Sequence, residues 1–444
     1  MPGVAPYSAT VGDFNRDGIP DLAVVSYLPT GTVSIWLGNG DGTFRLGETY
    51  AVAVQPFFAA AASLRGNGIL DLVVGDSLSD DIYVMLGNGN GTFQAAVAYP
   101  TVGRPYTLST GDFTGDGALD VVVLGEPAAE CNCIEVLPGN GDGTLQPAIT
   151  TPVPYNIDGY ALAVGYFNDD RKLDIAVTGA FGTAVQVDIL LGNGDGTFRP
   201  NGFYSLVISP NSVVAANFRG GRKTDLAVTV DTGVEVLLGN GDGTFQQPVL
   251  YSTRPPTWVI AKDFNGDGRM DLAVANAALT GYLPGASVLE GNGDGTFQPA
   301  TFYPSGGKAA GFVASGDFNR DGKPDLVITD DASDAFVTLL NTGAVAFSPT
   351  TALAFKKQAV GTTSAPQNVT LTNTGKAGLT ISSMKASSQF GMTSTCGKVV
   401  AAGANCAISV TFSPQSKGAK SGTVTINDSA SSKPMVIELS GTGT

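Results

Sequence analysis

Short acidic loops carry the residues of this chain that are best suited to chemistry. The first loop holds Asp13, Asn15, Asp17 and Asp21, with Gly18 directly after the third of them. Side-chain oxygens at positions 1, 3, 5 and 9 of such a loop, joined by the main-chain carbonyl of position 7, can converge on one cation. Six or more oxygen ligands without nitrogen or sulfur favour Ca²⁺ over zinc or copper. The loop therefore predicts a calcium site.

Three further loops repeat the pattern, so about four Ca²⁺ sites are expected. The predicted ligands are Asp13, Asn15, Asp17, Ile19 and Asp21 in loop 1; Asp112, Thr114, Asp116, Ala118 and Asp120 in loop 3; Asp263, Asn265, Asp267, Arg269 and Asp271 in loop 6; and Asp317, Asn319, Asp321, Lys323 and Asp325 in loop 7. Solvated turns are the competing interpretation, but four equivalent copies argue against it. Without a cation, the three aspartates of each loop repel one another. An EF-hand is excluded because Val24 and Val274 stand where it needs a glutamate.

Three other loops depart from this pattern. Loop 4 keeps Asn168, Asp170 and Asp174 as weaker candidate ligands, but it has Tyr166 at position 1 and Arg171 in place of the glycine. Loops 2 and 5 have an arginine at position 3, and each keeps an aspartate at position 9. We expect these two loops to be metal-free, with the guanidinium replacing the cation beside the remaining aspartate. The two pairs are Arg65 with Asp71 and Arg219 with Asp225.

The acidic loops recur about every 50 residues, and a second motif follows each of the first six by about 25 residues. That motif is an apolar run ending in Leu-Gly-Asn-Gly-Asp-Gly-Thr-Phe, as at Leu37 to Phe44. Glycine and asparagine tolerate positive φ, so the motif is typical of a tight hairpin without a ligand. Each unit then has four short strands, with a candidate fourth strand near Phe347 in the last unit. Seven such units predict an all-β, seven-bladed β-propeller over residues 1–348.

The composition changes from about residue 349. Alternating apolar and polar segments in 349–444 predict an immunoglobulin-like β-sandwich. Cys396 and Cys406 lie ten positions apart in this segment, and a disulfide between them is plausible in an oxidising compartment. Cys131 and Cys133 leave three alternatives open: a strained disulfide, free thiols, or ligation of a soft metal.

Together, the motifs Gly-Asp-Phe-Asn-x-Asp-Gly-x-x-Asp-Leu and Leu-Gly-Asn-Gly-Asp-Gly-Thr-Phe make the first 345 residues resemble the FG-GAP/VCBS repeat family. Integrin α-subunits and some fungal lectins share this type of propeller. The resemblance implies a seven-bladed propeller, Ca²⁺ between the first and second strands, and an extracellular or cell-surface role in adhesion or ligand binding. The remaining segment is similar to the abnormal-spindle/Hydin type of Ig-like domain.

Composition excludes several functions. The chain of 444 residues contains no histidine, which excludes Ser-His-Asp and Cys-His catalysis and HExxH-type zinc sites. Its net charge of −15 argues against nucleic acid as a partner, because little would neutralise the phosphates. No apolar run is long enough for a transmembrane helix, and the first residues do not resemble a signal peptide. We expect a monomer.

The loops on the other side of the predicted propeller are candidates for ligand binding. Aromatic residues beside arginines there suit a carbohydrate or a protein ligand; the candidates are Arg104, Tyr106, Tyr160, Arg254 and Trp258. The alternative is that these aromatic side chains pack between blades. Three functional hypotheses remain open: a calcium-binding adhesion or binding protein, a carbohydrate-active lyase or hydrolase using carboxylate or Tyr/Arg chemistry, and a structural spacer.

Overall fold

The computed structural model describes residues 5–27, 31–125, 133–153, 158–181, 184–279, 282–341, 345–348, 352–373, 378–401, 403–428 and 434–444. Side chains are described for these residues except 158–160, 180, 181, 184, 345–348 and 352. The chain divides into two compact units, Met1–Leu340 and Asn341–Thr444. This boundary precedes the one expected after residue 348.

In the part of unit 1 that the structure describes, the strands form seven antiparallel sheets, numbered 1 to 7 along the chain. Six have four strands and the seventh has three. Sheet 1 comprises β1 (Pro6–Gly12), β2 (Asp21–Ser26), β3 (Gly31–Gly38) and β4 (Phe44–Ala53); sheet 2 comprises β5 (Pro56–Ala62), β6 (Asp71–Asp76), β7 (Asp81–Met85) and β8 (Val97–Pro100); sheet 3 comprises β9 (Pro105–Gly111), β10 (Asp120–Gly125), β11 (Cys133–Leu137) and β12 (Ile149–Pro152); sheet 4 comprises β13 (Asp158–Gly165), β14 (Asp174–Phe181), β15 (Ala184–Gly192) and β16 (Phe198–Ser205).

The other three sheets follow the same order. Sheet 5 comprises β17 (Pro210–Ala216), β18 (Asp225–Val230), β19 (Gly233–Leu237) and β20 (Val249–Ser252); sheet 6 comprises β21 (Pro256–Lys262), β22 (Asp271–Asn276), β23 (Gly285–Leu289) and β24 (Thr301–Pro304); sheet 7 comprises β25 (Val313–Gly316), β26 (Asp325–Asp330) and β27 (Ala335–Leu339), with a 3₁₀ turn at Asp331–Ser333. The acidic loops join the first and second strands of each sheet, and the Gly-rich hairpins follow the third strands. Because consecutive strands are antiparallel, loops and hairpins lie on one face.

Apolar side chains between neighbouring sheets hold unit 1 together. The second strand of each sheet is a run of buried residues, such as Leu22 to Val25, because sheets pack against both of its sides. Separate hydrophobic clusters join each sheet to the next. A further cluster packs Trp36 and Ala9 of sheet 1 against Phe312 and Phe318 of sheet 7. The sheets therefore close into a propeller.

Unit 2 is an Ig-like sandwich of two sheets. The first has the order β28 (Val345–Ser348), β30 (Gln367–Asn373), β34 (Asn405–Phe412), β32 (Phe390–Ser394); the second has the order β29 (Ala352–Ala354), β36 (Met435–Gly443), β35 (Gly418–Asp428), β31 (Leu379–Ala386), β33 (Val399–Val400). One core, containing Val369, Ile408 and Phe412, lies between them. Cys396 and Cys406 form a disulfide.

The strand around Phe347 belongs to this sandwich and not to the propeller. Val345–Ser348 pairs with β30 through backbone hydrogen bonds, for example at Phe347 opposite Leu371. The expectation of a fourth strand for the last repeat was therefore wrong. A strand of suitable composition does not show which sheet it joins, because the pairing partner is distant in sequence.

Within the described residues, no helix has the length and apolar character needed to cross a membrane.

Candidate functional site

The acidic loops fold around their own aspartates. In loop 1 the Asp13 carboxylate accepts the N–H groups of Asp17 (3.1 Å) and Gly18 (2.9 Å), and Asn15 Oδ1 also accepts the Asp17 N–H (2.9 Å). Gly18 adopts a φ of 79°, which a residue with a Cβ rarely adopts. The first aspartates of the other three complete loops accept the equivalent glycine N–H: Asp112 from Gly117, Asp263 from Gly268 and Asp317 from Gly322. The four complete loops therefore share one turn geometry.

The aspartate at position 9 has a role that the sequence interpretation missed. It is fully buried in all seven loops, at Asp21, Asp71, Asp120, Asp174, Asp225, Asp271 and Asp325. In loop 1, the Asp21 carboxylate accepts the N–H of Phe14 (2.9 Å) and the N–H of Gly38 at the hairpin (2.8 Å). The same two bonds recur in the other four-stranded sheets. This aspartate therefore ties the acidic loop to the hairpin of its own sheet.

Burial makes ionisation of this aspartate costly. It raises the pKa of Asp21 and of Asp174 to about 6, although the backbone N–H groups that they accept act in the opposite direction. The pKa of Asp271 is also raised, again chiefly by burial. A carboxylate in this position is stabilised by a positive group nearby.

In loops 2 and 5 an arginine supplies that positive group. Arg65 forms an ion pair with the buried Asp71, and its guanidinium also donates to the carbonyl of Gly87 (2.7 Å). Arg219 pairs in the same way with Asp225 and Gly239. The predicted pairing of arginine with the remaining aspartate is confirmed.

The predicted calcium ligands lie together on each loop, but they are not gathered around one point. Across the described residues, no group of three or more Asp, Glu or Cys side chains is arranged to hold a metal ion. The donor chemistry nevertheless fits a hard cation. An ionised carboxylate has about four acceptor sites, and the bonds to Phe14 and Gly38 use two of those on Asp21. In loop 3, the buried Thr114 Oγ1 at position 3 has no hydrogen-bond partner.

Loop 4 keeps only part of this geometry. Asn168 Oδ1 accepts the Asp170 N–H (2.9 Å), and Asp170 accepts the Lys172 N–H (3.0 Å). Arg171 adopts a φ of 62° where the complete loops have glycine. Tyr166 at position 1 is exposed and offers no carboxylate.

The Gly-rich hairpins are self-contained turns that also connect neighbouring sheets. In the first hairpin, Asp41 accepts the N–H of Thr43 (3.0 Å), and Gly42 donates its own N–H to the carbonyl of Phe318 in sheet 7 (2.9 Å). Equivalent glycines donate to Phe14, Phe113, Phe167 and Phe218 of the preceding sheets. The hairpins therefore stabilise the closed ring beside the acidic loops.

The predicted ligand-binding residues lie at the other face, around the starts of the first strands. Trp258 is half-buried and packs on Phe312, with 4.6 Å between ring centroids, so it follows the alternative of packing between sheets. The Arg254 guanidinium lies 3.5 Å from the centre of the Phe302 ring. Tyr106 contacts Phe57 (5.9 Å), and Arg104 is exposed. The side chain of Tyr160 lies outside the described residues.

Comparisons with known proteins agree with this architecture. The FG-GAP-like repeat family matches residues 13–63, 64–123, 217–274 and 263–328. The family described as abnormal spindle-like microcephaly-associated, ASPM-SPD-2-Hydin, abbreviated ASH, matches residues 343–436. No curated protein matches the chain in sequence.

Solved structures match the chain at low sequence identity, and the likeness in fold rests on the first of those named here. The complex of BBS1N with ARL6DN contains a chain 15% identical, with a TM-score of 0.53, and the match covers 76% of this chain and 93% of that one. An Agrocybe aegerita lectin described as recognising non-reducing terminal N-acetylglucosamine is 21% identical, with a TM-score of 0.47 and coverage of 67% and 80%. PapD-like domain 7 of human CEP192, an ASH domain, is 14% identical, with a TM-score of 0.19 and coverage of 23% and 85%.

The repeated acidic loops, the propeller that they join and the sandwich after it agree with these family matches, and the chain belongs to the FG-GAP-like repeat family and carries an ASH domain.

Proposed function

We propose that the protein is a calcium-stabilised binding module that acts outside the cell. In this proposal, it holds a carbohydrate or protein ligand on the propeller face opposite the acidic loops. The observation that carries the calcium proposal is the arginine substitution in loops 2 and 5. There a guanidinium contacts the buried aspartate of position 9 and a hairpin carbonyl. In loops 1, 3, 6 and 7, position 3 is Asn or Thr, and positions 1 and 5 are both aspartate.

This difference supports a cation in the four complete loops. A buried carboxylate needs a positive partner. Where the arginine is absent, a cation held by the oxygen donors of the loop would take its place. In loop 1 the ion would be held by side-chain oxygens of Asp13, Asn15, Asp17 and Asp21, with the carbonyl of Ile19. The unpartnered Thr114 oxygen supports the same arrangement in loop 3. A bound Ca²⁺ would supply positive charge that neutralises the clustered carboxylates.

Two observations support an extracellular location. Cys396 and Cys406 form a disulfide, and Cys133 is also disulfide-bonded. Disulfides persist in oxidising compartments. Membership of the FG-GAP-like repeat family and the lack of histidine support a binding role over the catalytic mechanisms that need imidazole.

Thermal unfolding of the full chain tests the calcium proposal. We expect the Tm in a chelator to be lower than in millimolar Ca²⁺, and Mg²⁺ to restore it less well because it demands a tighter octahedral site. Sodium chloride at matched ionic strength controls for screening. An unchanged Tm with and without Ca²⁺ would contradict the proposal. Ligand binding is assayed separately, on arrays of glycans and of extracellular proteins, in the presence of Ca²⁺.

A further inference from the structure

The first strands of sheets 1 to 6 share an irregularity at the face opposite the acidic loops. In each, one residue near the start of the strand is skipped in the pairing with the second strand. In sheet 1, Pro6 pairs with Ser26 and Ser8 with Val25, so Tyr7 is left out of the ladder. The skipped residues are Tyr7, Phe57, Tyr106, Tyr160, Asn211 and Thr257. A bulge of this kind redirects a side chain and often lies beside a functional site.

The six bulges provide an internal comparison. The backbone is irregular at the same place in each sheet, yet the residue is aromatic in sheets 1 to 4 and small and polar in sheets 5 and 6. Asn211 and Thr257 hold their sheets in place with ordinary hydrogen bonds, to the carbonyls of Pro256 (3.1 Å) and Ala275 (3.2 Å). The fold therefore does not require an aromatic ring at this position. The rings in sheets 1 to 3 need another explanation.

Three of these rings form a continuous surface, here called the aromatic arc and defined as Tyr7, Phe57 and Tyr106. The centroids of Tyr7 and Phe57 are 3.9 Å apart, and those of Phe57 and Tyr106 are 5.9 Å apart. Tyr27 extends the arc beside Tyr7 (5.9 Å). Tyr7 is 36% exposed, and the other two rings are partly exposed. A row of partly exposed aromatic rings can form a platform for a ligand.

Next to the arc, aromatic rings of three sheets meet near the axis of the propeller. Phe58 of sheet 2 contacts Trp258 of sheet 6 (5.7 Å) and Phe312 next to sheet 7 (6.0 Å). Sheets 2 and 6 are not neighbours, so the contact between Phe58 and Trp258 crosses the axis.

The groups around the arc select among ligand classes. Asp331 lies close enough to Tyr7 to act on its ionisation, which disfavours an anionic ligand. Burial, with Tyr27 and Asp331, raises the pKa of Tyr7 to about 12, so its hydroxyl remains a hydrogen-bond donor. Phe57 and Tyr106 pack edge to face at 72°, whereas the Tyr7 and Phe57 rings are tilted by only 35°. The three rings therefore form a row and not a box around a cation. An open amphipathic platform suits a neutral sugar ring, which has an apolar face and a hydroxylated rim.

We propose that the aromatic arc of Tyr7, Phe57 and Tyr106 is the site where this protein stacks the apolar face of a neutral saccharide. This inference rests on the proposed binding function and gives it a location and a ligand class.

The test uses residues that the repeat itself accepts. Tyr7→Asn, Phe57→Thr and Tyr106→Asn place in sheets 1 to 3 the residue types that sheets 5 and 6 hold at the same bulge, so we expect these variants to fold. Tyr303→Ala, on the outer strand β24 and 49% exposed, is the matched control. Binding is measured on a panel of neutral cello-, xylo-, manno- and chito-oligosaccharides in Ca²⁺. The chain has two tryptophans, so Trp36→Phe leaves Trp258 next to the arc as the fluorescent reporter for titrations.

We expect wild-type protein to bind at least one oligosaccharide of the panel, and each arc variant to bind it at least about tenfold more weakly. The control should bind as wild type, and the melting curves of all variants should stay close to that of wild type. Arc variants that keep wild-type affinity would overturn the location while leaving a binding function intact. Failure of wild-type protein to bind any neutral saccharide would overturn the ligand class. The stability measurement with Ca²⁺ is independent of both outcomes.

Discussion

Loops 2 and 5 of the propeller differ from loops 1, 3, 6 and 7 in the side chains that lie beside the buried aspartate of position 9. In loop 5, Arg219 contacts Asp225 and the hairpin carbonyl of Gly239, so that one side chain joins three parts of the sheet. In loop 1, Asp21 makes the same backbone bonds, but its neighbours in the loop are further carboxylates. The comparison indicates that the fold keeps the aspartate in every sheet, whereas an arginine pairs with it only in loops 2 and 5.

The largest expected effect comes from removing an arginine. Arg219→Ala leaves the buried carboxylate of Asp225 and the Gly239 carbonyl without their partner, and we expect the free energy of unfolding to fall by about 3 kcal/mol. Arg222→Ala, an exposed arginine of the same loop, is the control and should change stability by less than about 0.5 kcal/mol. Urea unfolding measures both variants. If the two variants were equally stable, Arg219 would not stabilise the buried carboxylate of Asp225.

A second test removes one calcium ligand at a time. Asp17→Ala should reduce the number of Ca²⁺ ions bound per chain by one, because position 5 contributes a carboxylate to loop 1. Asn67→Ala, at the same position of the arginine-containing loop 2, should leave that number unchanged. Isothermal titration calorimetry counts the ions. A lower number of bound Ca²⁺ ions in Asn67→Ala would show that the arginine of loop 2 does not replace the cation.

The pKa of the buried aspartate gives a dependence on pH. Without a cation, the pKa of Asp21 is about 6 in the folded protein and about 4 in an unfolded chain. The folded state therefore holds a proton that the unfolded state has lost, and its free energy of unfolding falls as pH rises through this window. A bound cation favours the ionised carboxylate. We expect the gain in Tm from Ca²⁺ to be larger at about pH 7.5 than at about pH 5. An equal gain in Tm at the two pH values would show that Asp21 does not contribute to the Ca²⁺ site.

The smallest effect is expected from the hairpin carboxylates. Asp195 accepts the Thr197 N–H (3.0 Å) within its own exposed turn and is not part of an acidic loop. Asp195→Ala should lower the Tm by no more than about 2 °C and leave calcium stoichiometry unchanged. Isothermal titration calorimetry measures the number of Ca²⁺ ions bound by this variant. Loss of an ion in this variant would extend the cation site from the loop to the neighbouring hairpin.

Much of the architecture follows from local sequence patterns. The repeated loop and hairpin motifs predicted four strands in each unit, and the sheets confirm this except in the last unit, where Val345–Ser348 joins the sandwich. The arginine pairs of loops 2 and 5 were also predicted, because both partners lie six residues apart in one loop.

The sequence does carry a signal for the structural role of the position-9 aspartate. Asp71 and Asp225 persist in loops that have lost the other acidic residues, which indicates that this aspartate serves the fold as well as a cation. No local sequence pattern indicated the contact of Phe58 with Trp258 across the axis, because 200 positions separate the two residues.

The sequence alone determined the repeat, the strand content and the carboxylate-rich composition of the acidic loops, because turns, alternation and loop motifs depend on residues a few positions apart. Tertiary structure decided which sheet the strand at Phe347 joins, which rings of separate sheets contact one another, and that Tyr7, Phe57 and Tyr106 form one row. These features depend on contacts between separate sheets, and a one-residue bulge that changes the direction of a side chain leaves no periodic signal in the sequence.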